Sequence, residues 1–433
     1  MANSLDSNVT RQLARVFLPA FDAARVITKS INTQLLDGKF SPSSGANVDF
    51  KRPHDYTTYR DADGDLTSYT KPDIVSGKAT GTVQDYFTSA TEWTNLEEAI
   101  QLDQLDQILA PMATRLCQDM ESDVAQYMAE NAGGSYAASG TIGTAVTTWT
   151  DVAKTGAYLE ALGVPKDKKW CYTSDPFTAV GLAGASADNG GQINRASGSD
   201  KLVDDAYHNA TIANDFAGFR VLRSTHLHTI TGVTYSDGAG AINDASVSST
   251  YASVKDSLTR TLTVDSFGTE TFAANALKGH VVTITGRNML SHATRNSLLV
   301  DGSTRTYTGV IVSNTAFTSG AGTITVAGAP VYEANGAYNS IDAALADNDV
   351  VTISNVSATN YTPNLAYHPD AFSVGTVKLP KLYSTDTVAT TKDGMSIRVS
   401  KYSDGDTNKQ KVRFDLLPAY AVLNPWFSTH AWG

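Results

Sequence analysis

The chain has 433 residues, of which 41% are hydrophobic and only 18% charged, and its formal net charge is −11. That length predicts roughly two or three domains with a core that needs no staples. The acidic balance speaks against a protein that grips nucleic acid along its phosphates, because such a grip needs a clustered basic face.

Residues 5–36 read as helical pieces. Val9, Leu13, Val16 and Phe17 recur at helical spacing up to a break at Pro19, and Ile27, Ile31, Leu35 and Leu36 form a second stripe ended by Gly38. Met1–Val16 carries Asp6, Arg11 and Arg15 and no apolar run, so no signal peptide is expected there. Residues 46–93 predict a long β-hairpin with arms Val48–Lys51 and Thr80–Trp93. Its polar tip holds Asp61, Asp63, Gly64 and Asp65. A calcium loop with Asp61, Asp63 and Asp65 as its first ligands would place its glycine at position 66 and end in Glu, so the tip reads as a solvated turn.

Residues 94–131 give the strongest helical signal, with Leu105, Leu109, Met112, Leu116, Met120, Val124 and Met128 stepping by three or four. Pro111 predicts two helices, 95–109 and 111–131, the second roughly 30 Å long at about 1.5 Å per residue. The outer face of this helical stretch is expected to carry Gln107, Asp119, Glu121 and Asp123. Further on, Thr150 and Asp151 cap a helix that ends at Leu162, Lys168–Thr173 is a strand, and Asp175-Pro176 opens another helix. Residues 184–200 read as a flexible loop and Phe216–Arg223 as a strand.

From about Thr229 to Tyr361 the chain is dense in Thr, Val, Ser and Gly. Short alternating runs recur at Thr261–Val264, Val281–Thr285, Thr308–Val312, Thr323–Val326 and Val350–Ile353. This pattern predicts a small all-β barrel or sandwich. Mixed character returns after about residue 362. Ser396–Lys401 is expected to point Ile397 and Val399 inward and Arg398 and Ser400 outward, followed by strands Val412–Leu416 and Ala419–Leu423. The simplest topology is one α/β domain interrupted by the β module.

No catalytic, cofactor-binding or metal-ligating set is predicted. The chain lacks a GxSxG elbow, a phosphate loop and an HExxH pair. His226 and His228 have no third ligand nearby in sequence. Cys117 and Cys171 form no CxxC pair, which favours buried thiols and a reducing cytoplasm. No run of about 18 apolar residues predicts a membrane span. Lys401, Lys409, Lys411 and Arg413 make the best basic patch, but Asp404, Asp406 and Asp415 beside them favour salt bridging between subunits over nucleic-acid binding.

Five stretches carry a resemblance to a known family: LDSNV (Leu5–Val9), FKRPH (Phe50–His54), SGKATG (Ser76–Gly81), LEEAIQLDQLDQILAP (Leu96–Pro111) and SIRVSKYSDGDTNKQKVRFDLLPAY (Ser396–Tyr420). With the order of elements, they resemble the tailed-phage coat proteins of the Hong Kong 97 fold. The resemblance is nearest to those of short-tailed Salmonella and Shigella phages, which carry an inserted β domain. It implies an α+β chain with an N-terminal arm (1–45), an extended E-loop (46–93) and a peripheral domain with a spine helix (94–144). An axial domain would follow in two parts (145–228 and 362–433), around an inserted barrel (229–361).

The implied role is a non-enzymatic major capsid protein without cofactors. It would assemble into hexamers and pentamers of an icosahedral shell around double-stranded DNA, with a scaffolding protein and a portal as assembly partners and a decoration protein left open. Intersubunit contacts are expected at Lys51, Arg52, Arg60, Asp61, Asp63 and Asp65 and at Lys401, Asp404, Asp406, Lys409, Lys411 and Arg413. The alternatives are a nanocompartment shell of the same fold that encloses an enzyme, and a secreted adhesin or glycan-degrading enzyme, which would need an export signal and a carboxylate-lined cleft.

Overall fold

A computed structural model describes residues 6–36, 45–69, 71, 73–94, 105–183, 212, 214–234, 238–245, 247–354, 359–407 and 409–433. The chain divides into two compact units. The first comprises Met1–Asp49, Thr80–Ala125 and Phe372–Ala421, and the second Phe50–Ala79, Gln126–Ala371 and Val422–Gly433.

In the first unit, helix α1 (Asp6–Ala24) runs through Pro19 rather than breaking there, and helix α2 (Leu105–Glu130), which belongs to this unit as far as Ala125, likewise runs through Pro111. Both prolines are exposed. A proline removes one helical hydrogen bond, and on the wet face water can satisfy the freed carbonyl four residues back. The expected helix 95–109 lies outside the described residues as far as 104. The second apolar stripe is not helical. Residues 25–33 are turns followed by a single 3₁₀ turn (Gln34–Leu36), yet Ile27, Ile31 and Leu35 are buried as their spacing predicted.

Two four-stranded sheets complete this unit. One orders Asn47–Lys51, Lys78–Val83, Pro418–Val422 and Phe372–Thr376. The other orders Thr387–Thr390, Ser396–Asp404, Lys409–Leu416 and Phe87–Thr94. The expected long hairpin arm Thr80–Trp93 is therefore two strands in two sheets. Gln84 marks the break, its amide folded back onto Thr82. Phe17 of α1 stacks on Phe414 at 4.0 Å, which seats the helix on the second sheet.

In the second unit, a six-stranded mixed sheet orders Ser135–Ala137, Ser428–Trp432, Asn364–Tyr367, Cys171–Ser174, Phe219–Arg223 and Asp215–Phe216. Helix α3 (Trp149–Leu162) is capped two residues before the expected Thr150. Thr148 is the N-cap, Asp151 reaches back to close a capping box, and Gly163 ends the helix in the left-handed region at φ 93°. Helix α4 (Pro176–Ala183) opens at Asp175-Pro176 as predicted, its first amides held by the Asp175 carboxylate. The stretch Phe216–Arg223 is a tight hairpin, because Ala217 and Gly218 both take positive φ. The loop expected at 184–200 lies outside the described residues.

The alternating Thr/Val segments close into a six-stranded barrel in the order Val281–Asn288, Thr306–Asn314, Gly322–Ala327, Thr259–Asp265, Ala239–Ile242 and Val350–Ile353. Leu262, Val264, Val282, Ile284, Ile324, Val326, Val351 and Ile353 fill it, while threonines such as Thr261 and Thr325 pair at 3.0 Å outside. Period-two alternation around a closed sheet leaves no edge to protect. The barrel is not independently cored. Its interior is continuous with the apolar cluster of the mixed sheet, through Met289 and Leu298 on one side and Tyr136, Tyr158 and Leu162 on the other.

Candidate intersubunit surfaces

The acidic tip and the basic strand pair are the two places where the sequence suggested contacts between chains, and they differ in kind. At the tip, Arg60, Asp61, Asp63 and Asp65 are exposed. Asp61 accepts from the Asp63 and Asp65 amides at 2.9 and 3.2 Å, and Asp65 accepts from the Thr67 amide and hydroxyl at 2.9 and 2.7 Å. Those bonds stabilise the charged form and hold the Asp65 carboxyl below its ordinary value. The acidic cluster is thus a self-capped turn, its oxygens directed at its own backbone. The Tyr69 hydroxyl donates to the Arg60 carbonyl at 3.1 Å and its ring packs on Tyr59, which closes the turn.

At the root of the tip, Lys51 is exposed but Arg52 is 8% exposed and turned inward. Its guanidinium donates to the carbonyls of Lys78, Leu423 and Asp256. Burial lowers its pKa to about 10, with Tyr251 and Asp256 acting in the opposite direction. Arg52 therefore ties together three segments of its own unit.

In the strand pair Ser396–Asp404 and Lys409–Leu416, cross-strand neighbours use much of the charge. Lys409 pairs with Glu92 at 2.6 Å and Lys411 lies 3.8 Å from the same carboxylate. Arg413 meets Asp415 at 2.5 Å. Asp404 faces Lys409 in the register, Lys401 lies opposite Val412, and Asp406 is exposed in the connecting turn.

Arg398 and Ser400, expected outward, are 6% and 0% exposed. Arg398 sits directly across from Asp415 and donates to it at 2.6 and 3.2 Å. Asp415 is fully buried, and burial is the largest single influence on its pKa, upward. Hydrogen bonds from Arg398, Arg413 and Thr88 together outweigh it and bring the carboxyl below its usual value. Arg398 is thus buried as one member of an ion pair, and Ser400 is buried with it.

The family description of the P22 coat protein (gene protein 5) matches residues 1–429. The chain belongs to the P22 coat protein family. The major capsid protein of Acyrthosiphon pisum secondary endosymbiont phage 1 is 37% identical over 428 residues, covering 98% of each chain. A solved structure from Mycobacterium phage Che8 matches 94% of this chain and 90% of its own at 11% identity and a TM-score of 0.45. The capsid of Ralstonia phage GP4 matches 93% and 86% at 6% identity and 0.43.

Other features of this coat protein escaped the sequence reading. Glu121, expected on the outer face of α2, is fully buried and accepts from the Ile27 and Thr28 amides at 2.6 and 3.0 Å and from the Thr28 hydroxyl. A readable signal existed, since Glu121 lies four residues after Cys117 and four before Ala125, both buried. Asp123 also points to a partner, the Tyr420 hydroxyl at 2.8 Å, whereas Asp119 pairs on the surface with Arg115.

Asp167, His368 and Asp370 gather closely enough to suggest a metal. However, the Asp370 amide donates to His368 Nδ1 at 3.1 Å, which leaves the proton on Nε2 facing Asp167 at 2.9 Å. Lys168 holds Asp370 at 2.7 Å. Both ring nitrogens are engaged, so the group is a hydrogen-bonded chain. Near His228, Glu130 lies 3.5 Å from Lys278. Among the described residues no helix is long and apolar enough to cross a membrane.

Proposed function

We propose that this chain is a phage major capsid protein that self-assembles into hexamers and pentamers of an icosahedral shell enclosing double-stranded DNA, and that it performs no catalysis. The observation that carries the reading is the end-to-end match to a coat protein family over residues 1–429. The supporting division of labour is an N-arm (1–45), an E-loop (46–93) that reaches a neighbouring subunit, a peripheral domain (94–144), an axial domain in two parts (145–228 and 362–433) and an inserted barrel (229–361), in the Hong Kong 97 manner. Subunit contacts are assigned to Lys51, Arg52, Arg60, Asp61, Asp63 and Asp65 and to Lys401, Asp404, Asp406, Lys409, Lys411 and Arg413. A scaffolding protein and a portal are the expected assembly partners. The protein is made in the host cytoplasm.

The net charge of −11 supports enclosing DNA without gripping it, since a mildly repulsive wall leaves the packaged polymer mobile. A nanocompartment shell gains no support, because the family match runs through the inserted barrel. The test is to express the chain with and without its scaffolding protein and to examine the products by negative-stain microscopy and sedimentation. Closed, hollow, uniform shells with scaffold are expected. A chain that remains monomeric in every preparation overturns the proposal.

A further inference from the structure

The loop between Arg52 and Lys78 is built into the barrel of its own chain at the base. Arg52 donates to the Asp256 carbonyl, and the Lys78 amide donates to the Asp256 carboxylate at 3.3 Å. A side-chain carbon at Gly77 would lie 2.9 Å from the Tyr251 hydroxyl and strike the Lys255 carbonyl, so only glycine allows this approach. Val75 packs on the cluster of Tyr251, Val254, Leu258, Ala329, Val331 and Trp426.

One step further out, the hydroxyl of Tyr338, whose ring stacks on Tyr251 at 3.7 Å, accepts from the Asp55 amide at 2.9 Å. The Asp55 carboxylate pairs with Arg295, and the Thr57 hydroxyl donates to the Asn335 carbonyl at 3.1 Å. These are contacts on both limbs of the loop, made with three separate barrel segments.

We infer that the inserted barrel is a socket that aims the loop, presetting the direction in which its tip leaves the subunit before any neighbour is met. A surface segment attached only at its ends would sample many directions and lose that entropy on docking. Anchoring both limbs removes much of this cost in advance. The inference rests on the reading that the tip engages a neighbouring copy. It gives the barrel a role in assembly that does not require the barrel itself to touch another subunit.

The test uses the full chain with Asp55→Ala and Tyr338→Phe combined. The second change keeps the ring stack and removes only the hydroxyl. A fluorophore is placed at Ala62→Cys; the two native cysteines are buried, and burial pushes the Cys117 thiol up to about 12, so labelling is selective.

In the unassembled double variant, protection of the residue 55 amide from hydrogen exchange should fall about tenfold or more. Probe anisotropy should fall, and barrel amides at Val281–Ile284 should stay as protected as before. With scaffold, the yield of closed shells should drop. Unchanged anisotropy overturns the socket, as does a normal yield of shells from a loosened loop. A deletion of 58–69 separates the two ideas. Normal shells from that deletion overturn the neighbour contact and with it the aiming role, while exchange at Arg52, Asp55 and Lys78 reports independently on whether the anchor exists.

Discussion

Glu121 offers the sharpest test of how the N-terminal segment is held. Its carboxylate receives the Ile27 amide at 2.6 Å, the Thr28 amide at 3.0 Å and the Thr28 hydroxyl, all buried. The same hydroxyl accepts from Arg25 Nε at 2.9 Å, and Arg25 is anchored in turn by Asp22 and Asp393 at 3.2 and 3.0 Å. Glu121→Gln keeps the shape but replaces one acceptor oxygen with a donor that faces N–H groups. Each hydrogen bond to a charged group is worth about 1.5–3 kcal/mol, and neutralising a buried charge returns part of that, so a net loss of about 2–4 kcal/mol is expected.

Glu121→Ala orphans both amides and opens a small void, for about 3–5 kcal/mol. Thr28→Val, which breaks only the hydroxyl relay, should cost about 1–2 kcal/mol. The assay is urea unfolding of the unassembled subunit, read by circular dichroism and by a probe in the first unit. The order Ala, Gln, Val in falling severity is the signature. Variants at Glu121 within about 0.5 kcal/mol of the parent would show that the carboxylate does not hold the segment.

Asp415→Asn should cost about 3–5 kcal/mol by leaving the buried Arg398 guanidinium without its counter-charge, seen as a lowered urea midpoint. Because the folded carboxyl titrates below its ordinary 3.8, its contribution is whole above about pH 4 and is lost as pH falls through the folded value; the variant should lack that acid limb. Burial lowers His292 to about 3 and His430 to about 4. The unfolded chain therefore binds these protons first. Stability should be level above about pH 6.5 and decline by about 1.4 kcal/mol per pH unit per histidine down to those values, so equal urea midpoints at pH 7.5 and 5 would refute it. Val124→Asp places an uncompensated charge at a site 1% exposed on α2 and should cost several kcal/mol; an unchanged melting temperature would refute the helix register.

The barrel was legible because its physics is local. Alternating Thr and Val with Gly, Asn and Asp between them can bury only one face, and each of the five runs named from the sequence lies within or largely within a barrel strand. Helix existence was equally legible, but helix ends were not. Pro19 and Pro111 read as breaks because the sequence alone does not say which side of a helix is wet. The polar residues went further astray. Arg52, Glu121 and Arg398 were placed outside on charge, and each is buried by a partner 371, 94 and 17 positions away respectively. A charged side chain is interior only when other groups of the fold satisfy its hydrogen bonds or its charge, and pairing with groups distant along the chain has no signature in one sequence.

These buried charges bear on how a shell could be both strong and correctable. Arg52, Glu121, Arg398 and Asp415 make their bonds inside one subunit, where each break leaves an unsatisfied charge and costs several kcal/mol. The surface carries different material. Lys409 and Glu92 are 41% and 47% exposed, and exposed pairs of this kind contribute about 0–1 kcal/mol. If neighbours exchange partners across such groups and across the self-capped tip at Asp61–Thr67, every link between subunits is weak and salt-sensitive. An error can then dissociate, while a closed shell is stabilised by all its links at once because each subunit is already held by the others. The expected consequence is asymmetric. Raising salt should slow shell formation and raise the concentration needed for it, yet leave the urea midpoint of the free subunit nearly unchanged, because its interior charged groups are shielded from screening and its exposed pairs contribute little. Equal salt sensitivity of assembly and of subunit unfolding would contradict this partition of charge between interior and surface.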